Sequence, residues 1–356
     1  MRGGGKMTIS EDGPVAEGAS ANGLGLANGA SYYREIDATQ RKKIQDAGRR
    51  FVAATGGSPC LVLIGRILGF GDPGESTESR VRRCCEERFG FPESPLDETF
   101  NVILDSTGGP LDSAFRTVLY LSRYSENVNV YVPRKAKSAS TLIAVGANAI
   151  FMSPFAELGP LDTQIRDPRN PADYMSALDC YQSVDYVRDF GFGTLSQALK
   201  HLAAVTQGKI PLIDSLNAAA EFAIGSITPM LNQTKSLDFG AWGRSLKIGE
   251  RYAQVLLSRR GQADMSSAGK IASRLVYGYT HHLFPIDITE AKDMGLNPQE
   301  MSAEHYKSLT EIVNICNEAV CVEFIDESDK PTGQSAGQSA GSRVETRPEL
   351  AVPREA

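Results

Sequence analysis

"RKAKSASTLIAVGANAIFMSP", residues 134–154, decides the fold. Two lysines and two serines stand at the mouth of a run of small and apolar residues, and a second apolar run closes on Ser-Pro. The pattern predicts a polar turn, a helix "SASTLIAVGA" with small side chains, and a short strand "NAIFMSP". Ser138 falls at the helix start. A hydroxyl there is first of all a helix cap, and it can also be a reactive group beside the partly positive helix end. Ser140 and Thr141 read as small residues that let the helix pack closely.

Working outward, "NVNVYVP" (127–133) reads as a strand. Before it, "PLDSAFRTVLYLSRYS" places Leu111, Phe115, Val118, Leu119 and Leu121 at helical spacing. Before that, "TFNVILDSTGG" holds a buried strand at 101–104 and ends in two glycines, Gly108 and Gly109. Further upstream, "PCLVLIGRI" (59–67) is another strand. It is followed by a Gly- and Glu-rich insertion with a short helix, and preceded by a helix from Tyr32 to about Ala54. Strands alternating with helices predict parallel βαβ units joined by right-handed crossovers. Periodicity alone leaves doubly wound and spiral arrangements open. Beyond Pro160 the chain reads as mainly helical, with helices over 172–224, 243–259 and 267–277. "HHLFPIDITEAKDMGLNP" is an extended piece, a turn and a helix stopping at Gly295. Residues 1–31 read as a disordered leader and 326–356 as a disordered tail, being rich in Gly, Ser and Ala or in Ser, Gly, Glu and Pro.

Composition narrows the function classes. The chain has 356 residues, 41% hydrophobic and 22% charged, with a net charge of −6. A mildly acidic chain lacks the electrostatic footprint that phosphate demands, so nucleic acid is not an expected partner. Six cysteines form no CxxC pair, and Cys84–Cys85 is not zinc spacing. Reduced thiols and a cytoplasmic location are the expectation. No run approaches the ~18 apolar residues of a membrane span, and nothing at the N-terminus has the apolar core of a signal peptide.

The chemistry is expected at the two strand-to-helix turns. In parallel α/β sheets ligands sit outside the carboxyl ends of the strands. Gly108–Gly109 leave backbone N–H groups unscreened by a Cβ, suited to an oxyanion; a turn that merely needs glycine reads the same way. The turn is not a phosphate loop, having no GxxxxGK[ST]. Two such turns, one helix and one strand apart, should lie side by side. Bare donors on one and a hydroxyl on the other are what acyl transfer requires. His281 and His282 are adjacent and so cannot both face one site in a helix or strand; a structural role at a turn is expected.

"LDSTGG…PRKAKSASTLIAVGANAIFMSPFAELGPLDTQI", together with the later "THHLFPIDITEAKDMGL", resembles the ClpP-fold serine peptidases, and more narrowly the SDH-type (serine dehydrogenase proteinase) family, related to signal peptide peptidase A. The first three motifs cover about 65 residues, and the fourth extends the likeness over most of 55–300. The resemblance implies a ClpP/crotonase-like spiral of βαβ units with additional helices over 32–325, and a cytoplasmic serine peptidase working through an acyl-enzyme. Ser138 would be the nucleophile, and the N–H groups of Gly109, with Gly108 adjacent, and Ala139 the oxyanion hole. The sequence departs from the pattern at Lys137, where relatives often have Ala, and at Ser140, where they often have Gly. No histidine lies between Ser138 and His201, so a Ser–Lys dyad is expected, with Lys235 as base ahead of Lys200 and Lys209. A desolvated lysine can lose its proton near neutral pH. Asp162 and Gln164 are expected either to line or brace the cleft or to serve structurally at a turn between the sheet and the helical region. No metal or organic cofactor is implied; the partners implied are a peptide or protein substrate and further copies of the chain. Two rivals stand beside this reading: a crotonase-type acyl-CoA enzyme, and a catalytically silent scaffold of the same fold.

Overall fold

The computed structural model describes residues 34–326 except 73, 168–169, 171–173, 260–263 and 318. The expected leader and nearly all of the expected tail lie outside the described residues.

The chain opens with helix α1 (Ala38–Ala54), started by a capping box in which Asp37 accepts from the Gln40 N–H and Gln40 returns a bond to the Asp37 N–H. Strand β1 (Cys60–Ile64) follows, then α2 (Thr77–Phe89), β2 (Leu96–Asp105), α3 (Leu111–Tyr124) and β3 (Ser125–Val132). Next come the two-residue strand β4 (Lys135–Ala136), α4 (Ala139–Val145) and β5 (Ala149–Met152). These match the alternation read from the sequence, so the chain is a mixed α/β protein built on βαβ units. The second half adds β6 (Glu157–Leu158) and the hairpin of β7 (Gln164–Arg166) and β8 (Tyr174–Ser176). Three long helices follow: α5 (Ala177–Thr206), α6 (Leu212–Leu231) and α7 (Ser236–Arg259). The chain then runs through α8 (Met265–Tyr277), α9 (Ile288–Met294), β9 (Gln299–Glu300), α10 (Ala303–Cys316) and β10 (Cys321–Ile325).

The main sheet has the order β10-β1-β2-β3-β5-β9, parallel throughout except for β10, which runs antiparallel to β1. From β1 to β5 the order advances in one direction without reversal. That choice was open in the sequence, and it removes the doubly wound alternative. Right-handed crossovers taken in one direction put their helices on one face. Accordingly Leu61, Leu63, Val102, Leu104, Val130 and Val132 pack with α2, α3 and α4 in one apolar core. Their strand neighbours Cys60, Val62, Ile64, Ile103 and Tyr131 point the other way, into a second core closed by α1 and α10. Burial on both faces explains why β1 reads as a continuous apolar run.

A smaller ladder lies against the carboxyl end of the sheet. Ser106 bridges Ala136, β4 pairs with β6, and Leu158 bridges Ile286. Four segments far apart in sequence thus run side by side, and each leads into the cleft described next.

Candidate active site

From Ser106 the chain turns through Thr107, Gly108 and Gly109 into α3. Gly108 has φ +95, and a Cβ on it would lie 2.6 Å from the Lys137 carbonyl oxygen and 2.8 Å from Ser138 Cβ. Only hydrogen fits between the two turns, which is how they come to touch. The Gly108 N–H is bound by Ser106 Oγ at 3.0 Å. The expectation that Gly108 belongs to an oxyanion hole is therefore corrected: its donor is spent, and its part is close approach. The N–H groups of Gly109 and Ala139 have no acceptor among the described residues.

Ser138 sits at φ 52, ψ −128, a conformation that side chains other than glycine rarely adopt. Holding it costs roughly 1–3 kcal/mol, so the surroundings must over-determine it. They do. The Lys137 N–H donates to Ser106 O at 3.0 Å. Ser140 Oγ donates between Lys137 O at 2.6 Å and Ser106 O at 3.1 Å. Thr141 Oγ1 donates between Ala136 O at 2.6 Å and Gly159 O at 2.8 Å, and accepts from the Gly159 N–H at 3.0 Å. Ser140 and Thr141 are fully buried. Their hydroxyls are braces, and neither is available to a ligand. Ser138 is different: its hydroxyl makes no capping bond, and it lines the cleft. The capping role considered for Ser138 is not what the structure uses it for.

The lysines lie elsewhere. Lys137 is buried, its ammonium held by Glu157 Oε1 at 2.9 Å, Leu158 O at 3.2 Å and Phe284 O at 3.3 Å. Lys235 is exposed just before α7, and Lys200 and Lys209 are exposed at the far end of α5 and beyond it. None of the three lines the cleft. The expected lysine base is corrected on that ground, because a solvated ammonium lacks the apolar site that a Ser–Lys dyad needs.

A histidine and a carboxylate do line the cleft. From Leu158 the chain runs to Asp162, and from the partner segment ending at Ile286 it runs back to His282. His282 Nδ1 lies 2.7 Å from Asp162 Oδ1. A carboxylate only accepts, so Nδ1 is the nitrogen that donates to it, and in the neutral imidazole Nε2 presents a lone pair. Asp162 is buried, its other oxygen accepting from Ser176 Oγ at 2.7 Å and Gln164 Nε2 at 3.3 Å. Its charge is thus solvated by three donors fixed in the protein. His281 faces away and accepts the Leu283 N–H at 3.3 Å, a turn role as expected. The adjacent histidines do divide between two directions, but the second of them reaches the cleft.

Ser138, Asp162, His282, Gly108 and Gly109 line one cleft of about 650 Å³. Its remaining walls include Arg66, Leu111, Gln164, Tyr174 and Ile248. Hydroxyl, imidazole and buried carboxylate beside two unspent backbone donors can form and stabilise a tetrahedral adduct at a carbonyl carbon. Among the described residues, no group of three His, Cys, Asp or Glu side chains could hold a metal ion, and no helix is long and apolar enough to cross a membrane. Asp162 and His282 both lie in quoted sequence motifs, "ELGPLDTQ" and "THHLFPID". The signal was there, but nothing in the spacing joined residues 120 positions apart.

No family model matches the chain. The uncharacterized protein MJ0137 of Methanocaldococcus jannaschii is 35% identical over 219 residues, 62% of this chain and 60% of that protein. The chain therefore spans less than two thirds of that relative's length. Among solved structures, a serine-to-alanine mutant of the 1510-N membrane-bound stomatin-specific protease aligns at a TM-score of 0.36 and 14% identity, covering 68% of this chain and 77% of that one.

Proposed function

We propose that the protein is a serine-type hydrolase of the ClpP-like kind, cleaving peptide bonds through an acyl-enzyme, with a Ser–His–Asp arrangement in place of a Ser–Lys dyad. The observation that carries this reading is the 2.7 Å pair of His282 and buried Asp162, lining one cleft with a strained, uncapped Ser138. Ser138 attacks the carbonyl carbon, and His282 Nε2 takes its proton and returns it to the leaving amine. Asp162 fixes the imidazole tautomer and stabilises the imidazolium. The N–H groups of Gly109 and Ala139 are the donors offered to the oxyanion. A peptide or protein is the substrate, membership of the SDH-type family is part of the proposal, and so is assembly of several copies of the chain in the cytoplasm.

A fluorophosphonate probe tests the chemistry. It should label the wild-type protein at one site, and labelling should vanish in Ser138→Ala and collapse in His282→Ala while both variants keep the wild-type circular dichroism spectrum. Equal labelling of folded Ser138→Ala would sink the proposal. Tight binding of a CoA thioester by calorimetry, without labelling, would favour the acyl-CoA reading.

A further inference from the structure

Helices α5 and α6 form an antiparallel hairpin that buries little. Along the 30 residues of α5 only Ala177, Leu178, Cys180 and Gly191 are buried, and along α6 only Ala219 and Ala223. A helix of that length extends ~45 Å, so most of the arm stands clear of any core. Helix α6 is nevertheless apolar over more of its circumference than one neighbour can cover. Ala219, Ala223 and Ile227 face α5, where Ile227 meets Gly191. Roughly a quarter turn away, Ile213, Ala220, Ile224 and Leu231 recur at spacings that superpose on one face of a helix. On that second stripe Ile213 is 61% exposed and Ile224 60%. An apolar stripe this long is what a helix shows when it has two helical neighbours.

We infer that the arm is a self-association surface, on which the α5–α6 hairpin of one copy packs antiparallel against that of a second copy to close a four-helix bundle. The charge along the arm argues for a second copy as the occupant. The first half of α5 is acidic, with Asp179, Asp185 and Asp189 against Arg188 alone, and Arg188 is bonded to two of them. The far end carries Lys200, His201 and Lys209 against Asp214. Two arms related by a two-fold axis and running in opposite directions set the acidic half of each against the basic end of the other, a self-complementary arrangement. A lipid surface fits less well, because α6 carries Asp214 and Glu221 and no lysine or arginine. This inference rests on the assembly part of the proposed function and is independent of its chemistry.

The test is sedimentation and light scattering on the full chain, with fluorophosphonate labelling of Ser138 read in parallel. The wild type should have a multiple of the 38.4 kDa monomer mass. Ile213→Glu/Ile224→Glu should cut that mass about twofold without changing the circular dichroism spectrum, since both side chains are exposed. Asp185→Lys/Asp189→Lys should weaken association, and adding Lys200→Glu/Lys209→Glu should restore it. A wild type that is monomeric at high concentration would overturn both the arm and the assembly reading. An oligomer unchanged in mass by the Ile213/Ile224 substitutions would overturn the arm alone. A monomer that floats with phosphatidylcholine–phosphatidylglycerol vesicles, and stops floating on Ile224→Glu, would overturn it in favour of a lipid partner.

Discussion

Replacing Gly108 with alanine tests whether the two turns are held in contact only because one of them lacks a side chain. Two penalties add. At φ +95 an L-residue pays roughly 1–2 kcal/mol of backbone strain. The new Cβ would also stand 2.6 Å from Lys137 O, 2.8 Å from Ser138 Cβ and 3.2 Å from Ala139 N. Two of these neighbours are backbone and the third is the first side-chain atom of a strained residue, so none yields cheaply. Forcing them apart should cost a further ~1–3 kcal/mol. Gly56 supplies the control, because it has φ +74 and nothing within 4 Å of its would-be Cβ. Gly56→Ala pays the strain and no overlap, and the unfolded-state gain of a Gly→Ala change is common to both variants. The difference between them isolates the close approach. At roughly 2–4 °C per kcal/mol for a chain of this size, Gly108→Ala should melt about 2–12 °C below Gly56→Ala. The displacement falls on Ser138, and misplacing a reacting group by about 1 Å can cost on the order of 100-fold in rate. Fluorophosphonate labelling should therefore slow by about that factor in Gly108→Ala and stay at the wild-type rate in Gly56→Ala. If Gly108→Ala melts with Gly56→Ala and labels as fast as the wild type, the contact between the turns is not what positions the serine.

Other outcomes follow from the same coordinates. Asp162→Asn should leave the fold intact but lower turnover by about 10⁴-fold, because an amide facing Nδ1 no longer fixes the tautomer; Lys235→Ala should leave turnover unchanged, and the reverse pattern would reinstate the lysine. Desolvation pushes the Cys84 thiol up to about 11, and that of Cys85 to about 12. Ellman's reagent should consequently react far more slowly with the folded chain near pH 8 than with the urea-unfolded one, and matching rates would contradict their desolvation. Asp264 caps α8, accepting from the Ser267 and Ser266 N–H groups and from Ser267 Oγ, and these bonds hold its carboxyl below the usual range, the Ser267 N–H bond most of all. A depressed folded-state value means that its stabilisation is complete above the unfolded carboxylate range and disappears as pH falls through the folded value. The melting-temperature gap between wild type and Asp264→Ala should thus shrink between about pH 7 and about pH 3, and a constant gap would exclude the cap's charge as the cause.

The reading from residues succeeded where a local rule governs. Strand β1 is buried on both faces along its whole length, so it is continuously apolar and easily seen. Gly295 stops α9 as expected, in a left-handed conformation that glycine tolerates. The hairpin of β7 and β8 escaped because its strands have three residues each, and β10 because 321–325 is a half-buried edge strand without a turn signature before it. The helical arm was seen, but its function was not, since exposure of Ile213 and Ile224 cannot be inferred from a pattern that looks like an ordinary core stripe.

The sequence by itself determined the α/β class and the pair of strand-to-helix turns, because each depends on residues within a turn or two of one another. Only the tertiary structure decided the direction of winding, the loss of Gly108 as a donor and which titratable side chains line the cleft. Those rest on the ladder Ser106–Ala136–Leu158–Ile286, which lays four distant segments side by side and sets His282 on Asp162. Lysine and histidine are both plausible proton acceptors as residue types, and what separates them is which one the folded chain carries into the cleft.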